Sequence, residues 1–95
     1  MNANEVLKRY ADGQRNFRTQ DLKNLSFVKA NLSGTDFTGA NLTGADLTDS
    51  DLSYANLNWA TLKGANLSGA NLKGAKLPNG SMHNDFLGSA NYLGT

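Results

Sequence analysis

The sequence predicts an all-β solenoid, and three observations predict it. An apolar residue recurs at every fifth position through about two thirds of the chain, a small residue stands two places before most of these, and glycine closes many of the units. Thirteen successive pentads fit residues 15–79. Their central residues are Phe17, Leu22, Phe27, Leu32 and Phe37, then leucine at every fifth position from Leu42 to Leu77. An α-helix fails this period, because five steps of about 100° rotate each repeat by roughly 140° and scatter the leucines around the barrel. An unbroken strand fails too, because an odd period sends successive leucines to opposite faces of the pleat. The chain must therefore bend once per pentad, so that coils stack on one another and bury the leucines along an axis.

Composition sets the frame. Ninety-five residues make one small domain, and the absence of cysteine removes disulfides and thiolate metal sites as sources of stability. A formal net charge of +1 does not favour nucleic acid or an anionic membrane. No apolar run approaches the roughly 20 residues that span a bilayer. Residues 1–10 lack the basic-then-apolar order of a secretory signal, so the default expectation is a soluble cytoplasmic protein.

Three segments follow in chain order. Residues 1–14 read as a capping helix: Val6, Leu7 and Tyr10 share one helical face from Asn4 to Asp12, with Asn2 or Asn4 to open it and Gly13 to stop it. Such a cap is needed because a solenoid otherwise exposes the hydrophobic cross-section of its end coil. Residues 15–79 form the repeat. The small inward position is held by Ala30, Thr35, Ala40, Ala45, Ser50 and alanine at every fifth residue from Ala55 to Ala75. The place between it and the central apolar residue is Asn or Asp in ten of thirteen pentads, which marks an outward side chain on an extended segment. Gly34, Gly39, Gly44, Gly64, Gly69 and Gly74 supply the freedom a corner needs. The first pentads depart from the pattern, with Arg15, Gln20 and Leu25 at the small position, so the first coil should be wider and filled by Leu25 and the phenylalanines. Residues 80–95 read as a capping tail. Pro78-Asn79-Gly80 breaks the repeat, and Phe86, Leu87, Tyr92 and Leu93 are placed either to cover the last coil or to contact a second subunit. A monomer is favoured over a homodimer through that end.

The recurrence of Ala30-Asn31-Leu32-Ser33-Gly34 as Ala40-Asn41-Leu42-Thr43-Gly44, Ala65-Asn66-Leu67-Ser68-Gly69 and Ala70-Asn71-Leu72-Lys73-Gly74 resembles the pentapeptide-repeat family. The resemblance implies what period alone does not: four pentads per coil, a square cross-section and a right-handed path, hence a right-handed quadrilateral β-helix of about three coils. It also implies that residues twenty apart stack.

Chemistry-bearing constellations are sparse. An interior filled by leucine and alanine leaves no room for convergent polar groups, so no catalytic residue, cofactor or metal is expected. His83 stands with only Asp85 near it in sequence, which does not complete a nucleophilic dyad. Asp46, Asp49 and Asp51 lack the glycine and terminal glutamate of a calcium loop. Tyr54 and Trp59 are the candidate partner-binding residues, since they occupy the corner position where six other pentads have glycine and should stand proud of the surface. The sequence therefore points to a non-catalytic interaction or scaffold module whose partner is another protein, of a kind the resemblance places in bacterial regulation. The alternative is a DNA mimic that modulates a topoisomerase such as DNA gyrase, an activity the resemblance brings to mind. On the four-face arrangement Asp21, Asp36, Asp46 and Asp51 fall on four different faces with lysines between them, which gives no continuous acidic stripe.

Overall fold

In the computed structural model, residues 1–78 and the backbone of residues 82 and 83 are described. Helix α1 spans Ala3–Ala11. The side chain of its N-cap, Asn2, accepts from the Glu5 amide at 2.8 Å. The helix ends as the glycine predicts: Gly13 takes φ +101°, its amide donates to the Tyr10 carbonyl, and the Gln14 amide donates to that of Arg9. The helix lies one residue earlier than the sequence reading placed it, and Asn2 rather than Asn4 opens it.

From residue 15 onward the chain winds in coils of twenty residues. Nine single-residue parallel bridges join positions twenty apart, from Asn16 with Asp36 to Asn56 with Lys76. Each rung uses two backbone bonds, exemplified by Phe17 N–H to Asp36 C=O at 2.9 Å and Asp36 N–H to Arg15 C=O at 2.8 Å. Four pentads thus complete a turn, and residues twenty apart are neighbours. Between rungs the chain bends. In the bend at Ala40 its amide donates to the Phe37 carbonyl at 2.9 Å. Gly39, third of those four residues, has φ +71°, and positive φ at that residue alone is the type II turn pattern.

The corner conformation does not wait for glycine. Thr19, Asn24, Lys29, Asp49, Tyr54 and Trp59 all sit at φ between 57° and 64°. A non-glycine residue there costs about 1–2 kcal/mol, so the inward columns must hold the coil against local strain. They are built to do so: every central residue from Phe17 to Leu72 is essentially inaccessible, as are the small residues from Ala40 to Ala75. The Phe17 and Phe37 rings stack at 6.1 Å between centroids, tilted by 38°.

The Asn/Asp preference proves to be more than an outward direction. In all ten pentads that carry it, side-chain Oδ1 accepts from the amide two residues later, as Asn66 does from Ser68 at 2.9 Å and Asp51 from Ser53 at 3.0 Å. That amide lies at the start of the bend, outside the inter-coil ladder, and an Asx-type bond satisfies it.

The N-terminal coil is closed by the helix. Val6 is fully buried in the core, and Ala3, Leu7 and Tyr10 pack against it. The Tyr10 hydroxyl donates to the Ser33 carbonyl at 2.7 Å and Gln14 Nε2 to that of Asn16 at 2.8 Å, so two carbonyls that no lower coil could satisfy are paired. Arg15, at a position where the later coils have Thr35, Ala55 and Ala75, turns outward and lays its guanidinium over the Tyr10 ring at 3.7 Å. Leu25 packs, partly buried, against the core. At the other end, strand β1, Ala75–Lys76, pairs antiparallel with strand β2, Met82–His83. The Pro-Asn-Gly signal stands in sequence between these two antiparallel strands. Phe86, Leu87, Tyr92 and Leu93, with the proposed lid or subunit contact, lie outside the described residues. No helix among those described is long and apolar enough to cross a membrane.

Candidate interaction face

Twenty-residue coils give the rod four faces separated by four columns of corners. Tyr54 and Trp59 are consecutive corners of one coil, so they stand at the two edges of a single face. Tyr54 is 62% exposed and Trp59 81%, the most exposed large apolar side chains among the described residues. The φ angles of 60° and 64° are those of the glycine corners, which swings each ring away from the core. The tyrosine ring leans along the rod onto Gly74, where a Cβ would meet its Cδ1 and Cε1 at 2.5 Å. The tryptophan corner is held more loosely, its amide reaching the Pro78 carbonyl at 3.4 Å.

Between these edges run two outward columns. The first is Asn16, Asp36, Asn56 and Lys76, bridged in that order; the second, two residues on, is Arg18, Thr38, Asn58 and Pro78. Asp36 carries the face's negative charge. Partial burial raises its pKa, but hydrogen bonds from the Thr38 hydroxyl and amide, with the positive charges of Arg18 and Lys76, outweigh this and hold it below the ordinary 3.8. The nearest cation, Arg18 Nη1, is 3.9 Å from Oδ2, a loose and largely solvated pair. On the opposite face the Thr48 hydroxyl and amide hold Asp46 low in the same way, against a small desolvation cost. Asn58 Oδ1, beside the Trp59 edge of the Tyr54–Trp59 face, is buried from water and has no hydrogen-bond partner among the described residues.

Charge is layered along the rod. The coil of residues 40–59 holds Asp46, Asp49 and Asp51 and no base, while residues 60–78 hold Lys63, Lys73 and Lys76 and no acid. The aromatic pair belongs to the acidic coil and borders the basic one. Among the described residues no three His, Cys, Asp or Glu side chains gather as metal ligands do. The structure thus sets the two aromatics on one face, as corner positions five residues apart require. It also sets Asp36 and Lys76 in the same column, a pairing that sequence reasoning passed over. Adding twenty to residue numbers was the available signal.

Comparison with known proteins agrees with this geometry. A family model described as pentapeptide repeats matches in 8 copies, over residues 16–39, 21–53 and 40–79. Among solved structures, the chain is similar to HetL, a pentapeptide repeat protein involved in heterocyst differentiation regulation from the cyanobacterium Nostoc sp. strain PCC 7120. The identity is 36% over 72% of this chain and 34% of that one, with a TM-score of 0.62. It is also similar to Rfr23, a pentapeptide repeat protein from the cyanobacterium Cyanothece 51142, with 34% identity over 56% of this chain and 37% of that one and a TM-score of 0.53. The chain spans about a third of the length of each. No curated protein matches it.

Proposed function

Since the chain belongs to the pentapeptide-repeat family, whose members adopt a right-handed quadrilateral β-helix and are generally non-enzymatic structural or interaction modules, we propose that it recognises another protein through the face between Tyr54 and Trp59. One observation carries the reading. Two large rings stand 62% and 81% exposed in a backbone conformation that glycine adopts without strain. Most of each ring's surface stays in water, so folding gains little from them there, and a rigid aromatic pair flanking a polar strip has the make-up of an interface anchor. The rod fixes their separation in advance, so little conformational entropy is lost when a partner binds. A regulatory setting is supported by the likeness to HetL, whose own role is in the regulation of heterocyst differentiation.

The competing reading, a DNA mimic acting on a topoisomerase, needs a continuous acidic surface. Asp36, Asp46 and Asp51 lie on three different faces, and the adjoining basic coil interrupts their field. The test is capture from an extract of the native host by the immobilised chain and by its Tyr54→Gly/Trp59→Gly variant, a change the corner φ accommodates. The reading predicts that a specific protein is retained by the parent and lost by the variant, whose melting temperature is no lower than the parent's because glycine relieves the corner strain. The same set of proteins on both would refute it, and inhibition of gyrase supercoiling by the parent would favour the mimic.

A further inference from the structure

We propose that a second copy of this chain docks on the Tyr54–Trp59 face, the two rods antiparallel about a two-fold axis at the level of Asn56. This rests on the interaction reading above and names its partner. An isologous contact must be complementary to itself, and the outward column of this face is. Running Asp36, Asn56, Lys76, it is negative, neutral and positive along the rod. A two-fold axis in the interface plane, perpendicular to the rod, reverses that order, so Asp36 of each copy opposes Lys76 of the other and Asn56 opposes its own image. The same operation sets Tyr54 against Tyr54 at one edge and Trp59 against Trp59 at the other, and brings Asn58 opposite its own image.

The other three faces fail this operation. About the middle coil it would put Asp46 against Asp46 on one, Asp51 against Asp51 on the next, and Lys23 against Lys63 on the third; directly opposed like charges repel. Those faces also lack a second aromatic edge, because the remaining corners of the same coil are Gly44 and Asp49. The choice of face is therefore set by charge and by aromatic position independently.

The contact is weak. The molecule measures 27 × 22 × 20 Å overall, so one face offers on the order of 400 Å², about half of what each partner of a standard interface buries. Its dissociation constant falls in the micromolar range or above, and with two symmetric ion pairs at its heart it depends on ionic strength.

Sedimentation equilibrium of the full chain from micromolar to near-millimolar concentration provides the test. The mass should rise from 10.1 kDa towards twice that value at low salt and fall back at high salt. Lys76→Glu, whose side chain makes no hydrogen bond among the described residues, turns both ion pairs repulsive and weakens dimerisation by roughly tenfold or more; adding Asp36→Lys restores it. Orientation is read separately. With no native cysteine, Asn58→Cys should oxidise to a disulfide dimer much faster than Thr43→Cys on the neighbouring face. A mass that stays monomeric throughout, a dimer indifferent to Lys76→Glu, or equal oxidation of the two cysteines overturns the proposal. A monomer that still loses a captured host protein on Tyr54→Gly/Trp59→Gly refutes the self-association and leaves the interaction reading standing.

Discussion

Replacing Leu52 by alanine probes the inward columns at their most demanding place. Leu52 is fully buried in the middle coil, with Leu32 a coil below and Leu72 a coil above, both also inaccessible. The substitution removes three carbons. At about 0.8 kcal/mol per buried CH₂ their transfer is worth about 2.4 kcal/mol, and the cavity left between two coils pinned by backbone bonds adds about 1 kcal/mol or more. Relaxation is restricted here, because Leu52 N–H donates to Asn71 C=O at 2.8 Å and Asp51 N–H to Ala30 C=O at 2.9 Å, which fixes the spacing of the coils. The loss should be about 3–4 kcal/mol. For a domain of this size each kcal/mol moves the melting temperature by about 4–8 °C, so the midpoint falls by more than about 12 °C. Urea titration and thermal melting followed by circular dichroism measure both quantities. A loss below about 1 kcal/mol would mean that the leucine spine is not what holds the coils together. Leu52→Asp adds an uncompensated carboxylate and should prevent folding altogether.

Three smaller tests follow from individual contacts. Ser50 is buried with its hydroxyl unpartnered, so Ser50→Ala should stabilise the fold by about 1 kcal/mol in urea titration; a loss of comparable size would contradict the orphaned hydroxyl. Gly64 and Gly69 share a φ of 71°, but a Cβ at Gly69 would fall on the Asp49 carboxylate whereas one at Gly64 meets nothing nearer than 4.0 Å. Gly69→Ala should therefore destabilise clearly more than Gly64→Ala, whose cost is the corner strain of about 1–2 kcal/mol, and Asp49→Ala should close the gap between them. The lowered pKa values of Asp36 and Asp46 make a pH test. A carboxylate whose folded pKa lies below its unfolded one stabilises the fold above the unfolded value, and that contribution fades as pH falls through the folded value. The urea midpoint should hold level from neutrality to near pH 4 and drop below it, with Thr48→Val reducing the share that Asp46 contributes; an unchanged midpoint in acid would contradict it.

How much of this was legible in the sequence follows from where each signal is generated. The large apolar residue sealed from water recurs at every fifth position, so the bend per pentad could be read directly from the leucines. Period alone leaves the number of sides open, because any regular polygon of pentads buries the same residues; the square needed the family resemblance, and the bridges twenty residues apart supply it physically. The helix was legible because Asn2 and Gly13 mark backbone states that few other residues favour. The Asn/Asp column was read only as outward facing. A bare outward preference would admit lysine or serine as freely, and the restriction to Asn and Asp carried the missed information, that a short acceptor must reach the amide two residues on. Tyr54 and Trp59 could be placed on corners from position alone. The Asp36–Lys76 column and the Arg15 guanidinium over Tyr10 depend on coil stacking and on the angle at which the helix enters, which no local pattern records.

The stacking of residues twenty apart can be measured with paired cysteines, which the native sequence lacks. Thr43 and Lys63 occupy the same outward column, and the Lys63 carbonyl accepts from the Gly44 amide at 2.9 Å. Strand-neighbour spacing of about 4.8 Å lies within disulfide reach. Thr43→Cys/Lys63→Cys should oxidise to an intramolecular disulfide in the folded chain, and Thr43→Cys/Asn58→Cys, fifteen apart and around a corner, should not. Fast closure of the second pair, or of neither, would contradict the four-pentad coil.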